Sequence, residues 1–232
     1  LLIMATVAVT WVGLRQPETH PPGKRIPFLP GQLVRAAREV FSHRIAVGYT
    51  VATGLIFAPF IGFLSSCQQV FAEVYGEGDR FPFYFAALAL SMGAASVLNG
   101  KLVLRLGMRR LVRRALVAAC VLSLLFSFTT LALNGAPSLP LLMAYFMAAF
   151  FCNGMIFSNL NALAMEPLGR VAGMGAAIVN ASSTLISVPL GALVGQAFNG
   201  TVTPLAISFA GFTALCALAT MVTERGIVSL KR

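Results

Sequence analysis

Six apolar runs, each about as long as a bilayer is thick, decide what this chain can fold into. A helix rises about 1.5 Å per residue, so crossing the hydrocarbon takes roughly 20 apolar residues. Six stretches qualify: Ile45–Ala72, Pro82–Leu104, Leu111–Leu133, Leu139–Leu163, Ala172–Phe198 and Pro204–Val222. In lipid every backbone N–H and C=O must be paired inside the protein, and a helix does this within one segment. The expected fold is therefore an all-α, polytopic membrane protein with a six-helix transmembrane bundle over residues 45–222. Only 10% of the residues are charged, against about a quarter in soluble domains. That is too few to coat a water-facing surface, so the lipid bilayer is the expected partner of most of it.

Ahead of the six runs, Leu1–Leu14 is apolar but too short to span alone. It has neither an initiator Met nor a basic flank, so it does not read as a signal peptide. Residues 1–14 are expected to be the end of a truncated transmembrane helix, with an N-terminal half missing before it. Residues 15–44 then form a cytoplasmic linker and 223–232 a cytoplasmic tail. Inside the linker, Gln32–Phe41 admits two readings. One is a short interfacial helix with Leu33, Val34, Ala37 and Phe41 toward lipid and Arg35, Arg38 and Glu39 toward water. The other is a solvated connection.

A net charge of +10 invites a nucleic-acid reading, which position refutes. A phosphate-binding patch gathers on one face or along one element, whereas here the cations sit between apolar runs. Sixteen of the seventeen Lys and Arg residues fall in alternate connections and the tail, leaving Arg80 alone on the opposite side. That alternation marks the basic side as cytoplasmic. The expectation is a multi-pass protein of the bacterial inner membrane with its C-terminus inside and no nucleic-acid partner.

Catalytic chemistry finds no support. His20 and His43 both fall in the linker, and no HExxH, GxSxG or GxxxxGK[ST] occurs. Cys67, Cys120, Cys152 and Cys216 lie in apolar runs without paired spacing, as buried small hydrophobes do. No catalytic residue, metal site or cofactor is assigned, and the chain does not read as an enzyme. No ionisable residue sits near the middle of any run. Such a group is the usual mark of ion coupling, so a proton-titrating carboxylate is expected in the missing half. Glu73 lies near the outer end of its run.

Membrane helices pack through small residues and polar contacts. In the fifth run Gly173, Ala177, Asn180, Thr184, Ser187, Gly191 and Gly195 recur every three or four residues, which predicts a tight helix–helix face. The second run repeats the device with Ala89, Gly93, Ser96 and Gly100. The first carries a small stripe (Gly48, Ala52, Leu55, Pro59, Gly62, Ser66) and an aromatic–polar one (Tyr49, Thr53, Phe57, Phe60, Leu64, Gln68). The fourth aligns Phe146, Phe150, Asn153, Phe157 and Asn161. Aromatic walls with isolated amides suit a cavity for bulky apolar solutes; the same aromatics could equally face lipid or core.

Several stretches resemble the second half of a major facilitator superfamily transporter. Gly100-Lys101-Leu102-Val103-Leu104-Arg105-Leu106-Gly107-Met108-Arg109-Arg110 is similar to that superfamily's motif between its eighth and ninth helices. Leu104 stands where the family has an Asp. Pro17-Glu18-Thr19 resembles the end of the sixth helix in drug–proton antiporters. The passage from Asn161 through Glu166-Pro167-Leu168-Gly169-Arg170 to Ala177 is similar to the Bcr/CflA multidrug-resistance subfamily, as are Phe57-Ala58-Pro59-Phe60 and Gln69-Val70-Phe71.

The resemblance implies alternating access by two six-helix halves about a midplane site, and proton-coupled export of drugs or other amphipathic small molecules. On this reading Phe57, Phe60, Gln68, Asn153 and Phe157 line the substrate site. Gly100, Arg105, Gly107, Arg109 and Arg110 form a cytoplasmic gate, with Glu166 as the arginines' partner. Gly173, Asn180, Gly191 and Gly195 pack helices. Small-molecule substrate, protons and the missing half are the implied partners. A superfamily transporter of one specific metabolite is the alternative, and a non-transporting receptor or scaffold a more distant one.

Overall fold

The structure is a computed structural model that describes residues 2–16 and 30–230. Pro17-Glu18-Thr19, His20, Lys24, Arg25, Lys231, Arg232 and the side chain of Arg170 lie outside the described residues. The chain divides into two units, residues 1–35 and 36–232. In the first, helix α1 (Leu2–Arg15) buries none of its residues, and the Arg15 guanidinium lies 5.3 Å from the centre of the Trp11 ring. Helix α2 (Pro30–Ser42) starts in the first unit and ends in the second.

The second unit contains α3 (Arg44–Gln69), continued by a π-turn (Val70–Val74), then α4 (Phe81–Leu106) and α5 (Met108–Ala132). After them come α6 (Leu139–Met165), extended by a 3₁₀ segment (Glu166–Val171), α7 (Ala172–Gln196) and α8 (Thr203–Leu230). Six of these helices, α3 to α8, are long and apolar enough to cross a membrane, and each falls on one of the six apolar runs. Helices α4 and α6 carry proline in their first turn, where the missing N–H costs nothing. Gly107 separates α4 from α5 with φ +77°, a backbone that other residues adopt only with strain.

Two buried clusters run along the unit. One, at the end that carries most of the cations, gathers Tyr49, Ile56, Leu116, Ile156, Leu160 and Cys216. The other, toward the opposite end, is aromatic: Phe63, Phe71, Phe126, Tyr145, Phe146 and Phe209. There Phe126 and Tyr145 stack with ring centres 3.9 Å apart. The same end is tied by the Tyr75 hydroxyl, which donates to the Pro137 carbonyl (2.8 Å), and by Val202 N–H on the Gly135 carbonyl (2.9 Å).

Helix α3 is the hub, packed on α6, α7 and α8. Its contact with α7 is closest where glycines remove side chains. A Cβ built on Gly191 would lie 2.5 Å from Ile61 Cβ and 2.8 Å from the Ala58 carbonyl; on Gly195, 2.8 Å from Ser65 Cβ; on Gly54, 2.8 Å from Ile186 Cβ. Small residues let backbones approach this closely, which matters where lipid supplies no hydrophobic drive.

Four expectations are corrected. On α7 the buried row is Gly175, Val179, Ser183, Ser187 and Gly191, a strict four-residue spacing. Gly173, Ala177, Asn180 and Thr184 lie exposed beside it, and a Cβ on Gly173 would meet nothing within 4 Å. On α4 the row that meets α6 runs through Leu88, Met92, Ala95 and Asn99. The stripe of Ala89, Gly93, Ser96 and Gly100 is one residue off that row and therefore about 100° around the helix; all four are exposed. The linker ends earlier than Arg44, because Ala36 and Val40 are buried and Val40 belongs to the core. Of the apolar α2 residues expected to face lipid, Leu33, Val34 and Phe41 are exposed. Finally, α8 continues past Val222, and Thr223 packs where Gly48 leaves room.

The Cβ distances predict opposite outcomes for two glycine-to-alanine changes. Gly191→Ala lowers detergent-solubilised stability by about 1–3 kcal/mol, because the overlap is with backbone as well as side chain. Gly93→Ala does not lower it, since its Cβ enters open space. Thermal unfolding of the two variants checks both.

Candidate functional site

The half-buried rings of α3 and α6 meet in one surface. Phe57 lies 5.2 Å from Phe60 and 4.8 Å from Phe157, while Phe60 meets Phe150 edge-on at 5.1 Å. Such pairs contribute about 0.5–1.5 kcal/mol each beyond their area. Phe150 is buried; Phe57, Phe60 and Phe157 each keep part of the ring uncovered. The helical period produces this, because 57 and 60 are neighbours on α3, and 150, 153 and 157 are neighbours on α6.

Asn153 sits between Phe150 and Phe157 on that α6 row and is only 3% exposed. Its Nδ2 donates to the Ile56 carbonyl at 3.2 Å. Its Oδ1 is buried without a hydrogen-bond partner. The neighbouring Leu55 carbonyl lacks its helical N–H because Pro59 lies four residues on. A buried acceptor left unpaired costs about 1–3 kcal/mol. The arrangement is thus a partly uncovered aromatic surface over a buried, unused amide acceptor, with the Leu55 carbonyl also short of its helical donor. The rings can hold a bulky apolar body.

Gln68 does not join this group. It is exposed and lies eleven residues beyond Phe57, about 16 Å along the helix. One turn beyond Phe157, Asn161 donates to Asn180 of α7 across 3.3 Å; Asn180 thus serves as an amide partner. A second amide pair was not singled out in the sequence: Asn159 Nδ2 reaches Asn99 Oδ1 at 2.6 Å and bonds α6 to α4. Its only signal is an Asn in each of two apolar runs.

At the basic end Arg109, in the first turn of α5, pairs with Glu166 just beyond α6 (Nη2–Oε2 2.7 Å). The buried Tyr49 of α3 lies beside Arg109 and donates to Glu224 of α8 at 3.4 Å. Four helices are therefore linked through one ion pair and one hydroxyl. Glu224 was hidden in the sequence because hydropathy ends the sixth run at Val222. Arg105 and Arg110 have no carboxylate partner among the described residues. Gly107 supplies the corner, whereas Gly100 is exposed with nothing near its Cβ position. Leu104 is exposed as well.

Comparisons with known proteins agree with this architecture. The sequence pattern of the Major Facilitator Superfamily matches residues 1–192, and the chain belongs to that superfamily of membrane transporters. A bicyclomycin resistance protein homolog of Haemophilus influenzae is 25% identical over 204 residues, 88% of this chain and 50% of that protein. The uncharacterized MFS-type transporter YdgK of Bacillus subtilis is 26% identical over 196 residues, 84% of this chain and 48% of its own length. The chain spans about half the length of these curated relatives. No solved structure matches it significantly.

Both members of the Arg109–Glu166 pair are about half exposed, and exposed pairs contribute about 0.2–1 kcal/mol. A double-mutant cycle of Arg109→Gln and Glu166→Gln, read by thermal unfolding, is expected to give a coupling in that range that shrinks with added salt. A coupling several times larger and insensitive to salt contradicts this.

Proposed function

We propose that this chain is the second half of a proton-coupled exporter of amphipathic small molecules working by alternating access. The carrying observation is the partly uncovered aromatic surface of Phe57, Phe60 and Phe157 over the buried, unpaired Asn153 acceptor. Rings discriminate weakly between bulky apolar solutes, and one buried acceptor favours those that bring a donor. The Haemophilus relative is named as a bicyclomycin resistance protein homolog, which supports export. The coverage of about half of each relative supports a second six-helix half facing this one.

In this reading the two halves rock about the aromatic surface. The α3–α7 contact moves as a rigid pair, since its backbones are too close to slide freely. The basic end faces the cytoplasm of a bacterium, following the loop charges. There the Arg109–Glu166 pair is weak enough to break and re-form each cycle. The titrating carboxylate lies in the other half, because none of the six runs carries one at depth. Gln68 lies outside this surface, toward the far mouth of the pathway.

Cells making the complete transporter should export a lipophilic dye such as ethidium, and a protonophore should abolish that export. Asn153→Ala should weaken apparent dye affinity about tenfold, the size of one hydrogen bond, with the protein still reaching the membrane. Unchanged retention across cationic and neutral dyes would favour a transporter of one specific metabolite. Unchanged affinity in the Asn153 variant would remove the site assignment.

A further inference from the structure

The cation cluster at the α4–α5 corner is larger than the ion pair needs. Lys101 and Arg105 close α4, and Arg110, Arg113 and Arg114 open α5; all five are exposed and none has a carboxylate partner among the described residues. Only Arg109 of this group is paired. The Gly107 turn joins the two helix ends, so the five charges gather at the same end of α4 and α5.

Position on the helix decides what this surface meets. Arg110, Arg113 and Arg114 recur at three- and four-residue spacing, and the same row continues as Val117, Val121, Leu125 and Phe128, all exposed. On α4, Lys101 follows Val97 by one turn and Leu104 adjoins Arg105; Val97 and Leu104 are likewise exposed. Below the cations, then, α5 presents an uncovered row of branched and aromatic side chains and α4 presents Val97, each on a span long enough to cross a bilayer, while Leu104 lies level with the cations. An apolar wall that leads into a cluster of arginines matches one kind of molecule, with two hydrocarbon tails and a phosphate. Guanidinium forks suit phosphate oxygens.

We propose that the α4–α5 corner is a binding site for an anionic phospholipid, whose phosphate sits among Lys101, Arg105, Arg110, Arg113 and Arg114 and whose tails lie along Val117 and Val121. This rests on membership of a membrane-transporter family and on the geometry of the corner, not on what the protein transports. Occupancy would neutralise the repulsion among five cations held within a few turns, and so tie the corner to the headgroup layer.

The test uses the complete transporter in detergent, titrated with phosphatidylglycerol, phosphatidylcholine or inorganic phosphate, with bound lipid counted by native mass spectrometry. Lys101→Gln/Arg113→Gln/Arg114→Gln spares the gate-motif arginines; Arg35→Gln/Arg38→Gln/Arg44→Gln removes equal charge elsewhere. Phosphatidylglycerol should bind preferentially. The corner variant should weaken that binding by about a hundredfold at low salt, each cation near an anionic surface contributing about fivefold. The charge-matched variant should stay within about twofold, well inside the effect of a single cation. Equal loss in both variants would reduce the effect to bulk charge and overturn the site. So would equal binding of phosphatidylcholine, or displacement of the lipid by inorganic phosphate. If the corner variant does not fold, the unaltered protein still decides. Salt must then weaken phosphatidylglycerol binding while leaving phosphatidylcholine unchanged, and salt-insensitive binding overturns the proposal.

Discussion

The close approach of α3 and α7 at Gly54, Gly191 and Gly195 is the contact on which the rest of this half depends. In lipid, hydrocarbon outside the helices is as apolar as hydrocarbon between them. Association therefore rests on dense van der Waals contact and a few polar bonds. Glycine provides the first by letting one backbone lie against another's side chains. With α7 held on one flank and α8 on another, the aromatic row of α3 is left to meet α6. The packing of small residues thus positions the large ones.

The same division explains where polarity is allowed. Most hydroxyls in the spans donate to a carbonyl one turn back, as Thr50, Thr53, Ser66 and Ser127 do, and so need nothing from a neighbour. Amides carry both a donor and an acceptor, so a bond one turn back, such as the one Asn159 Nδ2 also gives the Met155 carbonyl (2.7 Å), does not satisfy them alone. Asn159 finds Asn99 and Asn161 finds Asn180, but Asn153 keeps a buried carbonyl oxygen without a donor. That this one lies beside the partly uncovered rings of the aromatic row is what the proposed solute site rests on.

The six spans were legible in the sequence because hydropathy and helix length respond to the same bilayer thickness. Their ends were less so. The run ending at Val222 stops at a charge, whereas the helix continues as long as its backbone bonds are made, carrying Glu224 to Tyr49. Facing was harder still. A stripe drawn through Ala89, Gly93, Ser96 and Gly100 and one through Leu88, Met92, Ala95 and Asn99 differ by a single residue, and composition cannot choose between them. On α7 the buried row advances by four residues and so winds about 40° around the helix at each step; Gly173, five whole turns from Gly191 and in line with it, is therefore exposed while Gly191 is buried. Arg105, Arg109 and Arg110 stand as equal candidates for Glu166 in the sequence. Only the Gly107 corner and the end of α6 assign it to Arg109.

The most direct measurement is thiol labelling at Phe57 in a complete transporter stripped of its native cysteines, with and without ethidium. Phe57→Cys should react with a small membrane-impermeant reagent, and ethidium should slow the reaction; Phe63→Cys, fully buried in the aromatic cluster, should stay inert under both conditions. A Phe57→Cys as inert as Phe63→Cys, or one labelled at a rate that transported dye leaves unchanged, would contradict a substrate surface on α3 and α6.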